Sequence, residues 1–442
     1  MARLAATGLA GTTVEWFDFY LYGIASALVF PALYFPPALP RTIAQLASFT
    51  TFAVGFFARP VGAAVFGHIG DRMGRKAALV AALVLMGGAT TLIGCLPTYA
   101  VLGPLAPTLL VALRFLQGLA IGGQWGGAML LIVESAPARR RGFYGSFAQA
   151  GAPVGVVAAN LAFLVANALT SQSEFLAWGW RIPFMLSLAL IAFAYYLQRR
   201  VDETPAFRQL QAAHDARALA AAAKRDAARS PPRTSSPLVE ALRTSPRQIL
   251  LAAGAFLAVQ VSFYVSITFV VAYGSSPEWL GLPRGTMLTA VLIASGTTAP
   301  TLLLFGALSD RLGRRRVYMA GTVLMVLWAF VFFPLIDTRS PALITTALCV
   351  SQLINSMMYG PQAALFGELF RTRVRYSSAS LGYQLGSAFG GALAPLIATT
   401  LLATYHTTLG ISVYIAFASL ISLFCVALLR DAPRGIAAEN AA

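Results

Sequence analysis

Apolar residues gather in long runs along the 442 positions of the chain. Twelve of these runs reach the length of about 20 residues that an α-helix needs to cross a bilayer. They cover 8–33, 44–67, 76–96, 104–134, 143–169, 178–198, 248–273, 285–309, 316–336, 341–368, 376–403 and 409–429. A helix is the expected spanning element, because it satisfies each backbone N–H and C=O within its own segment. The interval 199–247 differs in kind. It is polar, basic and rich in Ala, with Pro231, Pro232 and Pro237, and it reads as a linker outside the membrane. The pattern predicts an all-α polytopic membrane protein with a six-helix half at 1–198, the linker at 199–247, and a second six-helix half at 248–442 that ends in a short tail.

The two halves repeat. Gly67-His-Ile-Gly-Asp71-Arg72-Met-Gly74-Arg75-Lys76 follows the second run, and Gly306-Ala-Leu-Ser-Asp310-Arg311-Leu-Gly313-Arg314-Arg315 follows the eighth. A second echo follows runs four and ten, where Glu134, Arg139 and Arg141 correspond to Glu368, Arg373 and Arg375 at nearly the same offset. Two matches in corresponding loops point to duplication. Parallel six-helix repeats are a transporter layout, with the substrate near mid-membrane between them.

Composition strengthens this picture. The chain is 58% hydrophobic and 11% charged, with a mean hydropathy of +0.71. Soluble domains carry about 25% charged residues. The net charge of +16 would fit a nucleic-acid partner, but the placement of the charges argues against one. Of the 32 Lys and Arg residues, all but six fall in segments assigned to one side of the membrane. Arg41, Arg181, Arg284 and Arg339 lie in the opposite loops, and Arg59 and Arg114 lie inside apolar runs. An excess of basic residues on one side marks the cytoplasmic face, so both termini are expected there, in a bacterial-type inner membrane. Cys95, Cys349 and Cys425 sit in apolar runs without metal-ligand spacing and read as small buried hydrophobes. No metal or cofactor is expected, and no nucleophile–base set suggests an enzyme.

Ionisable residues inside a membrane are costly and are functional candidates by default. Glu15, Asp18, Arg59 and Arg114 are four such residues, all in the first half. Glu15 and Asp18 stand three apart on one helical face. A carboxylate at that depth is costly to keep charged, so the pair is a candidate for loading and releasing a proton. The alternative is that both lock the first helix through ion pairs or hydrogen bonds. A guanidinium keeps its charge and can grip a carboxylate with two hydrogen bonds. Arg59 and Arg114 are therefore candidates for recognising an anionic substrate, or else members of a permanent pair such as Arg114 with Asp18 or Glu15. Gln124, Tyr20, Tyr22, Gln260, Tyr264, Asn355, Gln362, Tyr383 and Gln384 are polar groups on apolar helices. Some are expected to line a cavity, others to bind neighbouring helices. Gly118, Gly122, Gly123, Gly126 and Gly127 lack the Lys-Ser/Thr of a phosphate loop and read as close-packing positions.

The motif Gly-x3-Asp-Arg-x-Gly-Arg-Lys at 67–76 resembles the signature of the major facilitator superfamily. Other stretches are similar to its metabolite:proton symporter branch: 11–23 with Glu15 and Asp18, Arg59-Pro60-Val-Gly62, Gly122-Gly-Gln124-Trp-Gly-Gly127, Trp180-Arg181-Ile-Pro183-Phe, Tyr359-Gly-Pro361-Gln362, Glu368-Leu-Phe-Arg371-Thr-Arg373-Val-Arg375-Tyr and Leu381-Gly-Tyr-Gln384-Leu-Gly386. The resemblance covers nearly the whole chain. It departs from the branch at Gln124, where members usually carry Glu, and in the short tail, where the osmosensory betaine members carry a long coiled coil. It implies the major facilitator fold of 12 transmembrane helices, and transport of organic acids such as shikimate, α-ketoglutarate or aromatic acids. It also implies a gating latch from Asp71, Arg72, Arg75, Glu134 and Arg141 in one half and Asp310, Arg311, Arg314, Glu368 and Arg375 in the other. The expected activity is proton-coupled symport of a small organic acid by alternating access in a monomer. A carrier of a betaine- or proline-like zwitterion, or a drug exporter, is the alternative.

Overall fold

A computed structural model of the protein describes residues 2–73, 75–122, 132–133, 136–189, 192, 243–370 and 375–429. Among them all regular structure is helical. In the first half α1 is Ala2–Leu28, α2 Arg41–Met73, α3 Arg75–Cys95, α4 Leu105–Gly122, α5 Arg141–Leu169 and α6 the short described piece Ile182–Met185. In the second half α7 is Pro246–Ser275, with a π turn at Val265–Phe269. Next come α8 at Arg284–Leu312, α9 at Arg314–Asp337 and α10 at Pro341–Leu369. The helix α11 runs from Arg375–Gly386 through a π turn at Ser387–Ala392 into Ala394–Tyr405, and α12 is Leu409–Leu428.

Eight of the described helices, α4, α5 and α7 to α12, are long and apolar enough to cross a membrane by length and composition. The helices α1 and α2 have 27 and 33 residues and carry Glu15, Asp18 and Arg59 among their apolar residues. In α3 the apolar stretch is Val80–Cys95. The linker positions 199–242 and the tail from 430 lie outside the described residues.

Packing follows the small residues. A Cβ on Gly62 would run into the Leu119 carbonyl, one on Gly118 into the Gly55 carbonyl, and one on Gly122 into the Arg59 carbonyl. These glycines bring the backbones of α2 and α4 into contact, as expected for Gly118 and Gly122. Gly123, Gly126 and Gly127 lie outside the described residues. Gly151 and Gly155 of α5 abut Thr12 and Trp16 of α1 in the same way. In the second half α8 and α9 pack on α10, and α7 and α9 on α12. The halves meet where α5 lies against α8 and α10, α2 against α11, and α1 against α7.

The cysteines depart from expectation. Cys95 is exposed, and Cys349 and Cys425 are only partly buried. Lipid tails are as apolar as a helix interface, so an apolar run does not tell an inward position from an outward one.

Candidate functional site

The four intramembrane charges cluster around Phe19 of α1. Arg59, from α2, places its guanidinium carbon 4.4 Å from the centre of the Phe19 ring, 4.4 Å from Phe56 and 5.4 Å from Trp16. Arg114, from α4, sits 4.1 Å from Phe19, 4.2 Å from Tyr22 and 4.8 Å from Phe52. Both arginines are buried. Aromatic faces compensate part of the cost of a buried cation.

Their hydrogen bonding separates them. Arg114 donates through Nε to the Phe52 carbonyl (3.3 Å) and through Nη1 to Gln117 (3.0 Å). Gln117 in turn donates to Thr90 of α3 (2.7 Å). Arg114 is thus held within the first half by neutral acceptors, and the expected pairing with Asp18 or Glu15 does not occur. Gly55 makes room for it, since a Cβ there would come within 2.5 Å of Nε. Arg59 has no hydrogen-bond partner at Nε or Nη2, whereas Arg114 lacks one at Nη2 alone.

The two carboxylates also part company. Asp18 turns into the first half and accepts a hydrogen bond from Ser187 (2.6 Å), with its second oxygen unpartnered beside Thr90. Glu15 lies within the field of Arg59, and its Oε1 has no partner. Three residues apart on one helix, they face different neighbours. Neither forms an ion pair within 4 Å of a described base; the described ion pairs all involve Arg314.

The second half faces Arg59 with phenols. Tyr20 stacks on Trp16 (5.4 Å between ring centres) and lies 5.8 Å from Phe263 and 6.5 Å from Tyr264 across the interface. Tyr264 packs against Phe56 at 5.2 Å, and its hydroxyl is close enough to Arg59 to feel its charge without a well-formed hydrogen bond. Gly391 admits both rings, because a Cβ there would meet Phe56 and Tyr264 at 2.8 Å. Gln362 is buried with both amide atoms unpartnered, and Gln384 lacks a partner at Oε1. Most buried polar groups in proteins are paired, so such orphans call for a reason.

Other expected positions bond neighbouring helices. Tyr22 donates to Thr51 (2.7 Å) beneath Arg114. Gln260 ties α7 to α11 by donating to Ser387 (2.7 Å). Asn355 donates to the Val259 carbonyl (2.9 Å) and to Ser262 (2.8 Å), tying α10 to α7. Gln124 lies outside the described residues. Sequence reasoning missed Gln149 of α5, buried with both amide atoms unpartnered. It stands one turn beyond Gly145, whose face abuts Ala363 next to Gln362. Its one sequence signal was an amide in a run of small residues, Ala148 to Ala152.

Of the residues expected to form a latch, Arg141, Asp310, Arg314 and Glu368 gather at the end of the bundle where α5 and α9 begin. Asp310 of α8 accepts hydrogen bonds from the backbone N–H groups of Gly142 and Phe143, both 2.9 Å, in the first turn of α5. A carboxylate there satisfies amides that have no partner within their own helix and meets the positive end of its dipole. Arg314 bridges Asp310 (3.2 Å) and Glu368 (2.9 Å), and Arg141 lies within the field of Glu368. Gly142 and Gly306 allow the approach, since a Cβ on either would collide with the other's carbonyl. Arg311 is exposed. Glu134 lies outside the described residues, as do the side chains of Asp71, Arg72, Arg75 and Arg375.

The pattern of the Major Facilitator Superfamily matches this sequence over residues 9–390 and again over 281–441. The chain is 39% identical to the inner membrane metabolite transport protein YhjE of Escherichia coli (strain K12), over 97% of this chain and 94% of that protein. It is 38% identical to the shikimate transporter of the same organism, over 98% and 95% of the two chains. The crystal structure of a D-xylose-proton symporter superposes with a TM-score of 0.73, covering 97% of this chain and 98% of that one at 18% identity, a likeness of fold. With twelve helices in two halves and full-length relatives that are membrane transporters, this chain belongs to the Major Facilitator Superfamily and is a transporter rather than an enzyme.

Proposed function

We propose that the protein is a proton-coupled symporter that imports a small organic acid by alternating access. It works as a monomer in the cytoplasmic membrane, with both termini in the cytoplasm. The observation that carries this reading is Arg59: a buried guanidinium at the meeting of the halves, with Nε and Nη2 unpartnered and Glu15 in its field. Two parallel donors suit a carboxylate. The name of the shikimate-transporting relative, a carrier of an organic acid, supports the substrate class.

In this reading the substrate carboxylate docks on Arg59, and Tyr264, Gln362 and Gln384 hydrogen-bond the rest of the molecule. Asp18, away from that contact and bonded to Ser187, takes up and releases the proton. Release of the Asp310 and Glu368 contacts opens the cytoplasmic end, because charge contacts made in one state and broken in the other bias the equilibrium between them.

The test is uptake of radiolabelled carboxylates, including shikimate-like, aromatic and tricarboxylic acids, into vesicles under an imposed pH gradient. Accumulation that persists with a protonophore would sink the symport assignment. Asp18→Asn is expected to abolish accumulation while leaving exchange of labelled for unlabelled acid. A betaine or a drug that competes better than any acid would move the substrate to the alternative class.

A further inference from the structure

Four arginines were assigned to the side away from the latch, and their surroundings divide them. Arg181 donates through Nη1 to the carbonyls of Gly94 (2.6 Å) and Leu96 (2.8 Å) and lies 4.6 Å from the Trp180 ring centre. Arg339 donates to the Trp279 carbonyl (3.3 Å). These two hold backbone in place. Arg41 and Arg284 line a groove of about 160 Å³ between the halves.

Arg41, the first residue of α2, stands on the wall built by the first half, and Arg284, the first residue of α8, on the wall built by the second. They are close enough for the charge of Arg41 to act on Arg284. Arg284 is half-buried, with its guanidinium 5.5 Å from the Phe175 ring centre. Neither takes part in an ion pair among the described residues. The acid on the groove wall, Glu278, accepts a hydrogen bond from Thr42 (3.3 Å). Asp337, at the groove-lining Tyr273, is engaged by that tyrosine (2.7 Å) and by Thr408 (3.0 Å). Two like charges thus face one cleft from opposite halves, and a concave cleft with an excess of one sign concentrates ions of the other.

We propose that Arg41 and Arg284 form a carboxylate-binding site at the mouth of the carrier, which collects the anionic substrate before Arg59 takes it. The role in transport rests on the organic-acid reading above; the binding site itself does not. A carboxylate there meets one guanidinium from each half. It relieves their repulsion and so favours closure of the mouth behind the substrate.

Trp279 lines the same groove and reports on it. In the purified full chain at low salt, the difference between the native protein and Trp279→Phe isolates its emission. Iodide serves as the anionic quencher and acrylamide as the neutral one. Replacing both arginines by Gln is expected to lower the iodide quenching constant about tenfold, the low end of the range for electrostatic focusing, and to leave acrylamide quenching unchanged. Benzoate is expected to protect Trp279 from iodide in the native protein and not in the Gln pair. The Arg41→Lys, Arg284→Lys pair controls for a rearranged groove, because it keeps the charge and is expected to keep the iodide constant. An iodide constant indifferent to the Gln pair, or benzoate that gives no protection, overturns the site. This readout needs no transport, so a failed uptake screen and a failed mouth site are separate results.

Discussion

The two halves meet across a chemically unequal surface. The first half buries Glu15, Asp18, Arg59 and Arg114, whereas the second buries Tyr264, Gln362 and Gln384, none of them charged at neutral pH. The gates, by contrast, echo each other in sequence in both halves. The loop motifs recur in both halves, but among the described residues the fully buried charges all belong to the first. In the proposed reading, a fixed charge on one wall and hydrogen-bonding groups on the other would let the charged end of a ligand be gripped in either state, while the rest of the contact is remade as the halves rock.

That contrast has ways to break. The largest expected effect is at Arg59: Arg59→Gln is expected to cut uptake about 100-fold, the loss of a charge-assisted bidentate contact of roughly 3 kcal/mol. Arg114→Gln should chiefly lower the amount of folded protein, since its bonds to Phe52 and Gln117 are internal to the first half. Uptake per folded molecule separates the two, and a greater loss at Arg114 would invert their roles.

Next in size is the latch. Asp310→Asn replaces one of the two carboxylate oxygens that accept from the start of α5 with an amide NH2 that cannot accept, a loss of about 1.5–3 kcal/mol at most. Losing 1.4 kcal/mol of differential contact moves the equilibrium between states about tenfold. Thiol labelling of a cysteine placed at Ser309 should rise accordingly, and unchanged labelling would remove Asp310 from the gate.

On the neutral wall, Gln362→Ala and Gln384→Ala are expected to raise KM about three- to tenfold with the maximal rate little changed, the pattern of lost ground-state hydrogen bonds. A fall in maximal rate instead would place these amides in the rocking step.

The smallest effect lies outside the membrane. Ser171 and Glu174 form a reciprocal cap on the short helix Gln172–Ala177, with the Ser171 N–H at 2.8 Å and its hydroxyl at 2.7 Å from the carboxylate. These bonds lower the Glu174 pKa below its usual 4.5. A depressed carboxylate stabilises the folded form above its unfolded pKa, and that contribution is lost as pH falls through the folded value. Ser171→Ala should therefore flatten the acid limb of thermal stability slightly and leave transport unchanged.

Particular residues mark how far the sequence could be read. Twelve apolar runs and the recurrence of Asp71 and Asp310 in equivalent loops carried the fold, because crossing a bilayer imposes length and apolarity on each helix independently of its neighbours. The four buried charges were visible for the same reason. Their partners were not. Gln117, three residues after Arg114, could have been read as a helical neighbour, but the Phe52 carbonyl belongs to another helix. The spacing of Glu15 and Asp18 suggested one shared site, yet packing of α6 and α3 claims Asp18 and leaves Glu15 to Arg59. Cys95 was expected inside and is exposed. The sequence by itself determined a membrane carrier of two duplicated halves with charge in one of them. Only the tertiary structure decided which neighbours each charge meets, because a pairing between helices depends on how backbones approach at glycines such as Gly55, Gly118 and Gly122, far apart along the chain.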